Sequence, residues 1–122
     1  MLCNDIYLSA LALLGESGDN PGCSDYKSRA PLLLRLIANK LSAASALMGK
    51  AVSEGPLTLE SEFPAAKALA PAAAYMLAGM LIFDELPSLS EVLEKAAQAE
   101  LLRAGSETPA PDIGKTKEVY GL

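Results

Sequence analysis

The sequence predicts an all-α domain: a small helical bundle of about four main helices with an extended C-terminal arm. Three observations predict it. Apolar residues recur at helical spacing in four stretches. Glycine- and proline-rich breaks separate those stretches. The core-forming residues are mainly Leu, Ala, Ile and Met, with 5% aromatics and no tryptophan, a composition that favours helices. At 122 residues the chain suits one domain with one apolar core. The helical part is expected over residues 1–105 and the arm over 106–122.

The first helix is expected from Asn4 or Asp5, either of which can cap its free amides, to Leu14. Ile6, Ala10, Leu13 and Leu14 mark its apolar side. Gly15 supplies a stop, and Gly15 to Gly22 is dense in turn-forming residues. A second helix begins at Ser24 or Asp25 and reaches about Lys50. Leu33, Ile37, Leu41, Ala44 and Met48 form its apolar stripe, with Arg35, Asn39, Ser42 and Ser45 on the opposite face. Pro31 requires a kink or a restart, and one kinked helix is the preferred reading. Gly49 and Gly55-Pro56 end it.

Leu57 to Glu62 reads as a connector. Phe63-Pro64 then leads into a third helix ending near Glu85, with Pro64 in its first turn and Pro71 marking a kink or restart. Ala70, Ala74 and Ala78 make a small-residue ridge, and Tyr75, Met76, Leu77, Leu81, Ile82 and Phe83 leave nearly every face apolar. Such a helix is central to a core or partly covered by a second subunit, and Ala74 and Ala78 are the expected points of close subunit approach. The fourth helix starts at Ser88 or Ser90, with Glu91 in its first turn. Leu89, Val92, Leu93, Ala96, Ala99 and Leu102 supply its apolar side, and Glu91 with Lys95 forms a surface pair. Leu33, Ile37, Leu41, Tyr75, Leu81 and Leu93 are the expected core contributors.

From Ser106 onward the helical period is lost. Ile113, Val119, Tyr120 and Leu122 are the apolar residues of this arm, and they are expected to dock it on a neighbour.

Chemistry is poorly supplied. There is no histidine, which removes the commonest general base near neutral pH and a common zinc ligand. Cys3 and Cys23 do not have zinc-site spacing, and without a secretory signal they are expected to be reduced thiols. Gly114-Lys115-Thr116 lacks the earlier glycine of a phosphate-binding loop, where Pro109 stands. Glu60 with Glu62 and Asp84 with Glu85 border connectors and read as solvated carboxylates. No catalytic, cofactor or metal residue is assigned, and the expectation is a protein that is not an enzyme. The formal charge of −5, with scattered basic residues, argues against specific nucleic-acid binding, although DNA can pass near such a surface. The longest apolar run, Leu69 to Phe83, contains a proline and falls short of the roughly 20 residues that span a bilayer. No membrane association is expected.

The series Asp5-Ile6-Tyr7-Leu8-Ser9-Ala10-Leu11-Ala12-Leu13-Leu14-Gly15-Glu16, followed by Tyr26-Lys27-Ser28-Arg29-Ala30-Pro31-Leu32-Leu33, resembles small head-to-tail connector proteins of tailed bacteriophages. Phe63-Pro64, the run Leu69-Ala70-Pro71-Ala72-Ala73-Ala74-Tyr75-Met76-Leu77-Ala78 and Asp84-Glu85 look similar to their alanine-rich central helix, and Val119-Tyr120-Gly121 to their end. The resemblance spans most of the chain and lies in helix order and short strings. It implies a structural subunit of a homo-oligomeric, dodecameric ring between the portal and tail-completion proteins. The place so implied is the virion neck, or the bacterial cytoplasm when the protein is expressed from a prophage. No active site comes with the resemblance. A small helical adaptor or regulatory partner-binding module is the alternative reading.

Overall fold

The first orphan amides of a helix need partners, and at the N-terminus of this chain they come from a segment far along the sequence. In the computed structural model, which describes residues 1–16 and 23–107, helix α1 spans Cys3–Leu13. The Cys3 and Asn4 amides donate to the carbonyls of Ser61 and Leu59, both at 2.8 Å, and the Phe63 amide donates to the Met1 carbonyl at 2.9 Å. An isolated antiparallel bridge pairs Leu2 with Glu62. The cap residue is therefore Leu2, not Asn4 or Asp5 as expected. Asp5 sits three residues into the turn, where its carboxylate accepts from the Leu2 amide at 3.1 Å. The connector's carbonyls do the work that a polar cap side chain would do in an isolated helix.

Helix α2 spans Cys23–Lys40 and stays one helix through Pro31. The expected extension to Lys50 is interrupted at Leu41, whose φ of −88° and ψ of 0° turn the chain before α3, Ser42–Leu47. The i to i−4 hydrogen bonds from Leu41 to Ile37 and from Ser45 to Leu41 persist across the break, and Leu41 and Ser45, one turn apart, are both buried. Gly15 and Gly49 have φ of 73° and 90°. At each, two amides return to the preceding helix: Gly15 to Ala12 and Glu16 to Leu11, then Gly49 to Ala46 and Lys50 to Ser45. This paired closure stops both helices at the glycines expected to stop them.

The expected third helix starts later than its sequence suggests. Phe63 to Ala66 is irregular and buried, Lys67–Leu69 forms a 3₁₀ turn, and α4 spans Ala70–Ile82. Pro71 stands in the first turn, where its missing amide costs nothing, so it starts the helix and does not kink it. Pro64 lies outside any helix. Helix α5 runs Pro87–Glu107, two residues beyond the expected end of the helical part at residue 105. The arm residues Ile113, Val119, Tyr120 and Leu122 lie outside the described residues.

Among the described residues the fold is a bundle of five α-helices without a strand, and α4 is its axis, packed by α1, α2 and α5. Ten of the thirteen α4 residues are buried, and six of these are the small residues Ala70, Ala72, Ala73, Ala74, Ala78 and Gly79. Small side chains permit several helices to approach one axis closely. Leu34, Ile37, Leu41, Leu77 and Leu81 fill the space around it. Of the expected core contributors, Ile37, Leu41, Leu81 and Leu93 are buried, whereas Leu33 and Tyr75 are half-buried at the core's edge. On α2, Leu34 takes the fully buried place that Leu33 was expected to hold.

Two polar side chains tie the bundle together. Arg29, on α2, donates to the carbonyls of Met80 and Leu81 at 3.3 and 3.4 Å, placing a cation at the C-terminal end of α4. Ser45 was assigned to an exposed face, yet it has no exposed surface. Its hydroxyl donates to the Lys50 carbonyl at 2.6 Å and accepts from the Ala66 amide at 2.8 Å, joining α3 to the segment that enters α4.

Candidate interaction surfaces

Helix α5 packs on α4 through Ser90, Leu93, Ala97, Leu101 and Ala104, which recur at helical spacing on one side. The helices come closest at Gly79, where an added Cβ would lie 3.3 Å from the Ser90 carbonyl oxygen. The Ser90 hydroxyl donates to the Gly79 carbonyl at 2.8 Å, fixing the register of the hairpin.

The other apolar residues of α5 were expected to share that core-facing side, and most do not. Leu89, Val92 and Leu102 are 39%, 60% and 77% exposed, and Ala99 is exposed too; only Ala96 is half-buried. At about 100° per residue, Leu89, Val92, Ala96 and Ala99 lie roughly a third of a turn round the helix from the buried line. Two apolar lines on one helix look like one broad face in sequence. The packing of α4 covers only the line that has small residues opposite Gly79.

The uncovered line has spacings of three, four and three residues, the pattern of a short helix-pairing seam. Phe83 and Leu86, 61% and 53% exposed in the α4–α5 turn, precede it in sequence. Glu91 and Lys95, 3.6 Å apart, form the expected exposed pair on the same helix.

A second apolar feature lies between α1 and the start of α4. It is a groove of about 340 Å³, walled by Met1, Ile6, Ser9, Ala12 and Leu13 on one side and by Ala70, Pro71, Ala74 and Tyr75 on the other. Its one hydroxyl on the α1 side, that of Ser9, donates to the Asp5 carbonyl at 2.9 Å.

These positions change what Ala74 and Ala78 do. Both were expected at a subunit contact, but Ala78 has no exposed surface and Ala74 only 6%. Within the chain their small size lets neighbouring helices approach α4, and Ala74 forms part of the groove wall. A direct subunit contact through Ala78 requires α4 to be uncovered first.

The titratable groups are dispersed. Glu60, Glu62, Asp84 and Glu85 are all exposed. The Met1 ammonium donates to Glu62 at 3.0 Å, and this hydrogen bond together with its charge holds the Glu62 carboxyl below its usual range. The Tyr26 hydroxyl lies 3.4 Å from a Glu85 oxygen. Cys3 is a buried free thiol, pushed above its usual range by burial first and by the Glu62 charge second. Among the described residues no three His, Cys, Asp or Glu side chains converge in a metal-binding group. No described helix is long and apolar enough to cross a membrane.

Comparison with protein-family models, with curated proteins and with solved structures gives no match. The α5 seam was missed because helical period alone does not say which of two apolar lines the neighbouring helix will cover. The groove needs residues from two helices some sixty positions apart, and no local signal joins them.

Proposed function

We propose that this chain is a structural assembly subunit whose α5 seam packs against a helix of another molecule. Its resemblance to tailed-phage connectors makes the specific reading a head-to-tail connector, forming a ring between portal and tail-completion proteins. Such a subunit belongs in the virion neck, or in the bacterial cytoplasm when expressed from a prophage. The observation that carries the assembly reading is the exposed line Leu89, Val92 and Ala99 on a helix whose buried line lies about a third of a turn away. A contiguous exposed apolar line of this kind marks an interaction surface, whereas a helix that serves only its own core typically has polar residues on its outer face. The net charge of −5 suits a ring wall past which DNA slides without being gripped.

Light scattering over a range of concentrations, with wild type and Val92→Glu, tests the self-association. Wild type is expected to form oligomers, and the variant to remain a folded monomer with unchanged circular dichroism. Electron microscopy of wild type mixed with portal assemblies tests the connector reading, with ring-shaped density on the portal as the expected result. A wild type that stays monomeric at every concentration and leaves the portal bare overturns both readings. A monomer that binds a single helical partner through Val92 replaces them with the adaptor reading.

A further inference from the structure

The groove between α1 and α4 lies at the end of the bundle where α5 finishes. Ser90 meets Gly79 near the close of α4, and the two helices run antiparallel from the short turn between them. Counting back along both helices from that contact places Ala97 beside Ala72 and the last buried residue, Ala104, beside the 3₁₀ turn Lys67–Leu69. Helix α5 does contact that turn. Pro71 and Ala74, in the groove wall, are one to two helical turns further on.

The residues after Glu107 therefore start at the same end of the bundle as the groove, with α4 between them. Residues 108–122 number 15 (122 − 107). An extended chain spans up to about 3.3 Å per residue, so twelve residues, enough to arrive at Val119, reach roughly 40 Å. The whole of α4, with 13 residues, is about 20 Å long at 1.5 Å per residue. Length does not limit contact with the groove. The segment's apolar residues are concentrated in Val119-Tyr120-Gly121-Leu122, and in an extended chain Tyr120 and Leu122 share one face.

We infer that the α1/α4 groove is the seat of this chain's own segment 108–122, with Tyr120 and Leu122 entering it between Ile6 and Leu13 on one wall and Pro71, Ala74 and Tyr75 on the other. The groove volume of about 340 Å³ is at the low end of the roughly 300–1,000 Å³ of small-molecule pockets, which suits a few side chains better than a cofactor. Its lining offers Tyr120 an apolar wall for the ring, and the open side leaves the hydroxyl in water. This inference goes beyond the assembly reading and does not rest on the α5 seam.

Hydrogen exchange on the full chain tests it, comparing wild type with Ala12→Arg, which puts a charge into the groove from an exposed position, and with Tyr120→Asp, which leaves the bundle untouched. In wild type the amides around residues 119–122 are expected to exchange at least about tenfold more slowly than an unstructured chain does, independent of protein concentration. Both variants are expected to lose that protection while keeping the wild-type melting curve. Leu36→Arg, on an exposed face of α2, is expected to keep it. Unprotected amides in wild type, or protection that survives both Ala12→Arg and Tyr120→Asp, overturn the inference. Protection that rises with protein concentration overturns it in favour of the segment of a second copy. These outcomes are read in the segment itself, so they stand apart from any result on Val92.

Discussion

Ser45→Ala removes one oxygen atom from the interior, and the two bonds it loses are not equivalent. The Ala66 amide donates to the Ser45 hydroxyl at 2.8 Å in a fully buried contact, so its loss leaves a donor without water to replace the partner. An orphaned buried group of this kind costs about 1–3 kcal/mol. The Lys50 carbonyl accepts at 2.6 Å but belongs to an exposed residue, where solvent can take the place of the hydroxyl. Alanine's better helix propensity returns only about 0.5 kcal/mol. The net expectation is a loss of about 1.5 kcal/mol, which for a domain of this size lowers the melting midpoint by roughly 5–8 °C. Thermal unfolding followed by circular dichroism measures it, with Ser42→Ala, at an exposed position of the same helix, expected within about 0.5 kcal/mol of wild type. Exchange at the Ala66 amide should also accelerate in Ser45→Ala. A midpoint within a degree or two of wild type, with the Ala66 amide still protected, would refute the view that this hydroxyl holds α3 to the entry of α4.

Leu41→Ala should cost about 2–5 kcal/mol, because Leu41 is 1% exposed at the bend between α2 and α3, and chemical denaturation measures it; an unchanged midpoint would remove Leu41 from the core. Glu62→Gln tests the contact with the Met1 ammonium. The folded carboxyl is held below its unfolded range, so its contribution is present above that unfolded range and disappears as pH falls through the lowered folded value. The difference in melting midpoint between wild type and Glu62→Gln should therefore favour wild type at neutral pH and vanish in acid. A difference that is constant with pH would contradict the assigned ion pair.

Helix existence was legible from one dimension of the molecule, because period, glycine stops and proline positions act within a few residues. Gly15 and Gly49 end helices for a reason that neither depends on nor waits for the rest of the chain. The apolar density of α4 likewise required a place at the centre, and ten of its thirteen residues are buried. The absence of histidine and the presence of only two cysteines limit the chemistry that the side chains can supply.

Tertiary structure decided everything that depends on a partner distant in sequence. Leu2 can be a cap only because carbonyls of the 59–61 connector reach the amides of α1. Ser45 is inside because the Ala66 amide, 21 residues away, supplies a donor that makes burial of a hydroxyl tolerable. Pro71 opens a helix because Phe63 to Ala66 are held in the core as irregular chain. On α5, local pattern offered two apolar lines of similar quality, and the close approach of Gly79 to Ser90 selected one of them. The other line was left facing solvent, and the groove beside α1 was formed from residues that meet only after folding. Periodicity records which side chains avoid water, and only packing determines which of them have a neighbour to do it with.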